Sequence, residues 1–495
     1  MIKNDIRFNL RHEVLKTVAE NEYNGTLDRE TIDSIPFNII PGTTAKFRCC
    51  VYKEREIIRQ RVRLAMGHLP IPINNAEHIE MKKHIIQVIP AACEGCPINR
   101  FQVTENCQNC MQQACKKACA FDAISITPRG AYIDQTKCRE CGKCSEACPY
   151  HAIADLMRPC KRSCDVNAIV IGSDRIARID TDKCIVCGHC VTGCPFGAIS
   201  DVSQIRDVVA ALKDPNREVI AIPAPAAEGQ FGPNVTIGRL KTALKKAGFD
   251  RVYETALGGD LVSMHEAKEL IEHKKEGKKM TTSCCPAFVN LIQKHYPNLM
   301  EYVSTTVSPM QGNVRYIQEK HPGAYIVFVG PCIAKKHEAE MLEAPDAVIT
   351  FEELNALFDA LKVDPEECEE EIEADATSYG RRFSSTGGVS ASVVKAAAEV
   401  GVEGITAKVC SGVKECKIAL AMLKAGKLAE DIIEGMACEN GCIAGPGSIA
   451  MLNQLKAARL KKIKDKDDDS ITDMLEKMEA TEVDMVRKSF DVPSK

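Results

Sequence analysis

Apolar positions recur every three or four residues in two early segments, "RHEVLKTVAE" and "KEREIIRQRVRLAM", and each predicts an amphipathic helix. Past residue 92 this spacing gives way to short β-prone pieces, "AISI", "AYID" and "ARID", set between cysteine-bearing turns. Helical spacing returns in "VSQIRDVVAALKDPNRE" and stops at a Pro-Asn turn, which marks a junction. From about residue 218 apolar runs alternate with amphipathic stretches. "EVIAIPAPA", "RVYETAL", "KKMTTSCC" and "AYIVFVGPC" predict buried strands, and "TIGRLKTALKKAG", "GGVSASVVKAAAEVG" and "CKIALAMLKAG" predict helices between such strands. That alternation predicts an α/β unit with largely parallel sheets, whose chemistry belongs where strands run out into loops. The final stretch, "KKIKDKDDDSITDMLEKMEA", predicts a charged helical tail with a solvated face.

Composition narrows the class. The 495 residues suggest two to four domains, and 45% hydrophobic with 27% charged content is a globular balance. The formal charge of 64 − 68 = −4 offers no attraction to nucleic acid or membrane. "MIKNDIRFNL" has no apolar core of a signal peptide and no apolar run approaches a membrane span, so a cytoplasmic location is expected. Cysteine is the outlier: eighteen of the 26 lie between 49 and 194 and eight between 284 and 442. So much thiol in a long chain without an export signal points to metal or redox chemistry rather than a disulfide scaffold. Adjacent Cys49 and Cys50 read as structural.

Two runs match the bacterial ferredoxin spacing C-x2-C-x2-C-x3-C-P: Cys138, Cys141, Cys144 and Cys148, then Cys184, Cys187, Cys190 and Cys194. In that spacing three thiolates wrap one 4Fe-4S cubane and the fourth turns to its companion. This pairs Cys138, Cys141 and Cys144 with Cys194, and Cys184, Cys187 and Cys190 with Cys148. A stretched unit (Cys107, Cys110, Cys115, Cys119) and the pieces Cys160/Cys164 and Cys93/Cys96 supply eight more thiols. The same logic pairs Cys107, Cys110 and Cys115 with Cys164, and Cys93, Cys96 and Cys160 with Cys119. Two to four accessory cubanes are expected, four favoured, with zinc an alternative at Cys93/Cys96.

A relay of cubanes needs a redox site at its end. In "TTSCCPAF" Cys284 and Cys285 adjoin, about 3.8 Å between Cα atoms, too close for the roughly 4.4–6.8 Å of a relaxed disulfide. "TSCCP" (282–286), "GPCIAKKHE" (330–338) and "EGMACENGCIAGPG" (434–447) follow in order behind the ferredoxin-like region. Together they resemble the iron-iron hydrogenases, in a divergent TSCCPAF form, over roughly residues 93–452. The resemblance implies an α+β ferredoxin-like cluster region followed by a two-lobed α/β catalytic domain. The expected layout is a helical region (1–92), ferredoxin-like 4Fe-4S domains (93–203), a linker helix (204–217), the catalytic H-cluster domain (218–455) and the charged tail (456–495).

The same resemblance implies an H-cluster: a 4Fe-4S cubane joined to a diiron unit carrying CO, cyanide and a bridging dithiolate. By motif position its ligands are Cys285, Cys332, Cys438 and Cys442, the last bridging to the diiron unit. Cys284 matches the proton donor and acceptor facing the dithiolate amine, and an ordinary thiol near pKa ~8.5 suits a relay. Glu266, Ser304 and Glu269 match the onward proton chain, with His273 where the family often has an arginine. Lys335 matches the lysine that donates to cyanide, with Glu338 its partner. Met436, Ala224, Pro225, Ala226, Phe383 and Ser384 match residues that wall the cofactor. Gly330 replaces a methionine and Met310 a common glutamine, and both departures are expected to alter the pocket's polarity and access. The implied reaction is 2H+ + 2e− ⇌ H2, with H2 and protons as substrates, a ferredoxin-like electron carrier and hydrogenase maturation proteins as partners. A slow hydrogen sensor and a hydrogenase-like iron–sulfur assembly factor are the alternatives.

Overall fold

The computed structural model describes residues 5–71, 84–93, 95–372, 374–463 and 469–488, with side chains of 458–463 excepted. Asp5 starts the first helix, Ile6–Asn24, by accepting from the Arg7 and Phe8 backbone N–H groups, and Gly25 in a left-handed conformation ends it. With helices Arg29–Ile39 and Val51–Ala65 it forms a bundle whose Val14, Leu15, Val18, Ile58 and Val62 join the catalytic half's core. The expected helical region does not end cleanly at 92. Strand Ile86–Val88 pairs antiparallel with Ile199–Asp201 and so becomes part of the ferredoxin-like layer.

That layer is built of two-stranded antiparallel ladders: Phe101–Val103 with Ile153–Asp155, Ile124–Thr127 with Gly130–Ile133, and Ile169–Ile171 with Ala177–Ile179. Short helices carrying cysteines fill the spaces between them, and helix Ile205–Lys213 leads out.

The catalytic half holds two parallel sheets. One runs in the order Arg251–Val252, Val219–Pro223, Tyr325–Val329, Ala347–Ile349, and the other in the order Met280–Thr281, Ile432–Met436, Ala407–Ser411. Strands Val219–Pro223 and Ile432–Met436 are buried at every position, as central parallel strands are. Of "RVYETAL" only two residues pair, because Thr255 already begins the long helix Thr255–Lys275.

The tail departs from its expectation. Ile471, Leu475, Ala480, Val483 and Met485 are buried, Val486 bridges to Thr306, and the Val307 N–H donates to the Met485 carbonyl at 2.9 Å. Apolar residues spaced through charged sequence thus strap this segment onto the catalytic half. Residues 464–468 of the predicted tail helix lie outside the described residues. Among the described residues no helix is long and apolar enough to cross a membrane.

Candidate active site and electron relay

Strand ends supply the central thiols. Cys284 and Cys285 follow Met280–Thr281, and Cys285 is the N-cap of helix Pro286–His295. Cys332 follows Tyr325–Val329 and caps helix Ile333–Leu342. Cys438 follows Ile432–Met436, and Cys442 opens a 3-10 turn, Cys442–Ala444. The four expected ligands converge. Burial pushes the Cys438 thiol well above its ordinary value, and Cys332, Cys442 and Cys285 add to that rise. Burial, then Cys285, lifts Cys332 to about 11. Among the described residues no group of three or more His, Cys, Asp or Glu is set to hold a single metal ion, and four thiols within electrostatic reach of one another are the soft donor type an iron–sulfur cluster takes.

Lys335 lies one turn beyond Cys332. Its Nζ donates to Glu338 Oε2 at 2.6 Å and reaches the Cys284 carbonyl at 3.5 Å, while Ser308 Oγ donates to the same Glu338 oxygen at 3.0 Å. Ala224, Met436, Phe383 and Ser384 are all buried, and Pro225 and Ala226 form a 3-10 turn after strand Val219–Pro223. At Gly330 a Cβ would stand 2.6 Å from the Phe328 ring and 3.2 Å from the Ala224 Cβ, so Phe328 fills the space a larger residue would claim. Met310 is fully buried in helix Pro309–Lys320.

The expected acid chain is assembled beside Cys284. Glu266 is fully buried: Oε1 accepts from Ser283 N at 3.1 Å and Ser283 Oγ at 3.3 Å, whereas Oε2 has no hydrogen-bond partner among the described residues. Burial pushes its carboxyl up to about 8, so it holds a proton at neutral pH. Burial, then Glu266 and Cys285, keeps the Cys284 thiol well above its ordinary value. Cys284 is therefore a more firmly protonated group than the near-neutral thiol expected of a solvent-like setting. Ser304 Oγ donates to Glu269 Oε2 at 2.6 Å, and the Thr305 N–H and hydroxyl hold Glu269 Oε1 at 2.8 and 3.0 Å. Glu269 is half-buried at the outer end; His273, one turn on, has a buried Nδ1 without a partner among the described residues.

Fifteen of the sixteen remaining candidate thiols, all but Cys110, gather in four sets, but not the sets expected. One pocket is lined by Cys119, Cys138, Cys141 and Cys144. Cys115 has Cys148 and Cys107 as thiol neighbours. Burial, then Cys194, Cys93 and Cys96, raises Cys160 to about 11. Burial, then Cys187, Cys184 and Cys164, pushes Cys190 far up. The fourth member of each set is thus corrected: Cys119 rather than Cys194 joins 138/141/144, and Cys164 rather than Cys148 joins 184/187/190. Likewise Cys148 rather than Cys164 joins Cys107 and Cys115, and Cys194 rather than Cys119 joins 93/96/160. The reason is local packing. Helix Ala114–Lys117 packs on Lys143–Ala147, and Pro159–Arg162 on His189–Gly193, so units exchange their last cysteine with the unit beside them in the chain.

All four exchanged cysteines share one turn. The N–H groups of Ala123, Ala152, Ala168 and Ala198 donate to the sulfurs of Cys119, Cys148, Cys164 and Cys194 at 3.2–3.4 Å. The residues before these alanines, Asp122, His151, Asn167 and Gly197, all have φ between 47° and 58°. The irregular units therefore fold as the regular ones do. Cys160 neighbours Cys190, and Cys187 neighbours Cys438, which places the 184/187/190/164 set between the 93/96/160/194 set and the central thiols.

The family model for the iron-only hydrogenase large subunit, C-terminal domain, matches residues 217–446, and two 4Fe-4S binding-domain models match 131–154 and 176–199. The chain is 30% identical over 382 residues to the periplasmic [Fe] hydrogenase large subunit of Nitratidesulfovibrio vulgaris, covering 66% of this chain and 87% of that protein. The chain belongs to the iron-only hydrogenase family. Iron hydrogenase 1 of Clostridium pasteurianum is also 30% identical, over 64% of each chain, so this hydrogenase-family chain spans less than two thirds of that relative. A solved [FeFe]-hydrogenase shares the fold with a TM-score of 0.50 at 21% identity, over 59% of this chain and all of that one. A probable cytosolic Fe-S cluster assembly factor of Anopheles gambiae is 26% identical over 44% of this chain and 57% of its own.

Three residues of this hydrogenase-family site were not foreseen. Ser283 joins Glu266 to the Thr306 carbonyl. Gln230 Oε1 accepts from the Ile449 and Ala450 N–H groups at 3.0 and 3.1 Å, and its amide donates to the Ala226 carbonyl at 3.2 Å, tying the "PAPAA" loop to the segment after Cys442. Glu434 accepts from Gly387 N, Ser390 N and Ser390 Oγ and so pins the loop after Ser384. The nearest sequence signal was Glu434 itself, a lone acid in an otherwise apolar strand.

Proposed function

We propose that this protein catalyses 2H+ + 2e− ⇌ H2 at a six-iron H-cluster held by Cys285, Cys332, Cys438 and Cys442. Residues 93–203 would hold up to four 4Fe-4S cubanes that exchange electrons with a ferredoxin-like carrier, and residues 218–455 would form the catalytic unit. The donor set fits the cofactor: four thiols converge from three strand ends, and a protonated thiol and a lysine ammonium stand beside them. When bound, the cofactor supplies an iron with an open position for H2. Cys284 would hold the proton exchanged there, and Lys335, fixed by Glu338, would orient the cofactor through a hydrogen bond.

Glu266, neutral at pH 7, can accept a proton only as it gives one up on its far side. Ser304, bonded to Glu269, continues the path to a half-buried carboxylate at the surface. The single observation carrying this reading is the juxtaposition of Cys284 with both Glu266 and the Lys335 ammonium. Loss of a positioned acid typically costs about 10²–10⁴-fold in rate. Cys284→Ala in protein matured with a complete diiron cofactor should therefore keep its iron content and its CO and cyanide infrared bands while H2 evolution falls at least about 100-fold. Turnover equal to wild type would refute the relay. Bands with negligible wild-type turnover would favour a sensor, and absent bands the assembly-factor reading that the Anopheles gambiae relative raises.

A further inference from the structure

The N-terminal region carried no predicted chemistry, yet three of its arginines, Arg7 and Arg61 on helices and Arg48 in the loop before Val51–Ala65, end on one turn of the ferredoxin-like layer. Arg7 Nη1 donates to the Cys194 carbonyl at 2.9 Å and the Thr192 carbonyl at 3.3 Å. Arg48 Nη2 donates to the Phe196 carbonyl at 3.2 Å, with its guanidinium 4.9 Å from the Phe196 ring centre. Arg61 Nη2 donates to the Gly197 carbonyl at 2.7 Å. A fourth arginine, Arg158, is buried two residues before Cys160, its Nη1 donating to the Arg175 carbonyl at 2.8 Å.

The turn is shaped for this approach. The three equivalent turns carry Asp122, His151 and Asn167 where this one carries Gly197, and a Cβ there would stand 2.5 Å from Arg61 Nη2. Glycine leaves that space to the Arg61 guanidinium, which a Cβ would displace. Arg7 is partly neutralised by Asp5 at 2.8 Å, Glu352 lies within electrostatic reach of Arg61, and Asp174 of Cys93. Arg48, Arg61 and Arg158 form no ion pair among the described residues. The next set inward receives two cations at its backbone, Lys294 on the Cys184 carbonyl and Lys417 on the carbonyl of Asp165 beside Cys164.

A cubane gains a negative charge on reduction, and cations held in a low-dielectric shell favour the reduced form. We propose that the N-terminal region is an electrostatic cap that raises the reduction potential of the cubane held by Cys93, Cys96, Cys160 and Cys194. That cubane would then take one electron from the external low-potential carrier and hold it in reserve, one station before the cluster beside Cys438. This rests on the four-thiol ligand reading and not on hydrogen turnover.

The test is an EPR-monitored redox titration of the iron-loaded full chain, with dithionite as reductant and mediator dyes. The relevant signal is the one lost in Cys160→Ser; if that variant loses no cubane, the ligand reading fails on its own. In Arg48→Gln and Arg61→Gln the midpoint of that signal should fall until the reduced-to-oxidised ratio at the wild-type midpoint drops about tenfold, about 59 mV for one electron. Arg61→Lys should keep most of the wild-type value, and the other signals should stay in place. An unmoved midpoint with intact iron overturns the proposal. Should Arg61→Gln lose iron, Arg7→Gln at the protein surface decides instead, a lowered midpoint supporting the cap and an unchanged one refuting it.

Discussion

At Glu266 one carboxyl oxygen is held by Ser283 and the other has no partner among the described residues, and burial keeps the group neutral in the fold until about pH 8. In the unfolded chain the same carboxyl ionises near its ordinary 4.5. The unfolded state therefore sheds this proton first, and its contribution to stability declines as pH rises from about 4.5 to about 8. Glu266→Gln removes that decline. Its melting temperature relative to wild type should climb by several degrees across the interval in scanning calorimetry, and a constant difference would show that the carboxyl is not a buried neutral acid. The residues legible here were those with unusual neighbours: Cys284 beside Cys285, Lys335 three places after Cys332. Ser283 was not legible, because a serine next to two thiols gives no sign that its hydroxyl turns back to a helix seventeen residues away.

Among the elements, strand and helix positions in the catalytic half followed the alternation of apolar runs and amphipathic stretches closely, since parallel strands buried on both faces leave an unbroken apolar signature. Cluster connectivity did not. Spacing within a motif reports which cysteines share a loop, but the fourth ligand is set by which short helix packs on which, a tertiary fact absent from any one motif. "CAFDAI", "CPYHAI", "CDVNAI" and "CPFGAI" did carry a common trace, the alanine whose N–H meets the sulfur. The corrected pairing makes a sharp expectation. Cys119→Ala and Cys138→Ala should erase the same cubane signal by EPR, and Cys194→Ala a different one. If Cys138→Ala and Cys194→Ala instead erase the same signal, the pairing by motif type is restored. The tail departs for a related reason: its apolar residues are too sparse among charges to show a face until the segment of 305–307 is present to receive them.

Across the whole molecule, a buried ionic joint locks its three parts together. Lys336, on the helix that begins after Cys332, donates to Asp201 Oδ2 at 2.7 Å, the Val202 carbonyl at 2.9 Å and Glu353 Oε1 at 2.9 Å. Arg11 of the first helix donates to the other Asp201 oxygen at 2.5 Å. Burial alone would raise the Asp201 carboxyl, but Arg11 and Lys336 hold it far below its ordinary value. Removing one partner of such a joint strands the others, at a typical cost of about 3–5 kcal/mol. Lys336→Met should lose stability of that order in urea unfolding; a loss below about 1 kcal/mol, the range of exposed pairs, would show the joint to be solvated. The joint fixes the strand after Cys194 against the helix after Cys332, and so helps set the separation across which the relay and the catalytic centre exchange electrons.

The strap of residues 484–487 along 305–307 also has a consequence for biosynthesis. Its backbone bonds to Thr305 and Val307 join partners made 182 and 178 residues apart, Arg487 with Thr305 and Met485 with Val307. At roughly 5–20 residues per second a ribosome needs on the order of 10–40 s to cover that distance. For most of that time the nascent chain has Cys284 and Cys285 but not yet Cys438 and Cys442, and the segment bearing Ser304 keeps an open edge. Translation speed therefore sets how long this unfinished form stays exposed to chaperones and proteases before the strap arrives to close it.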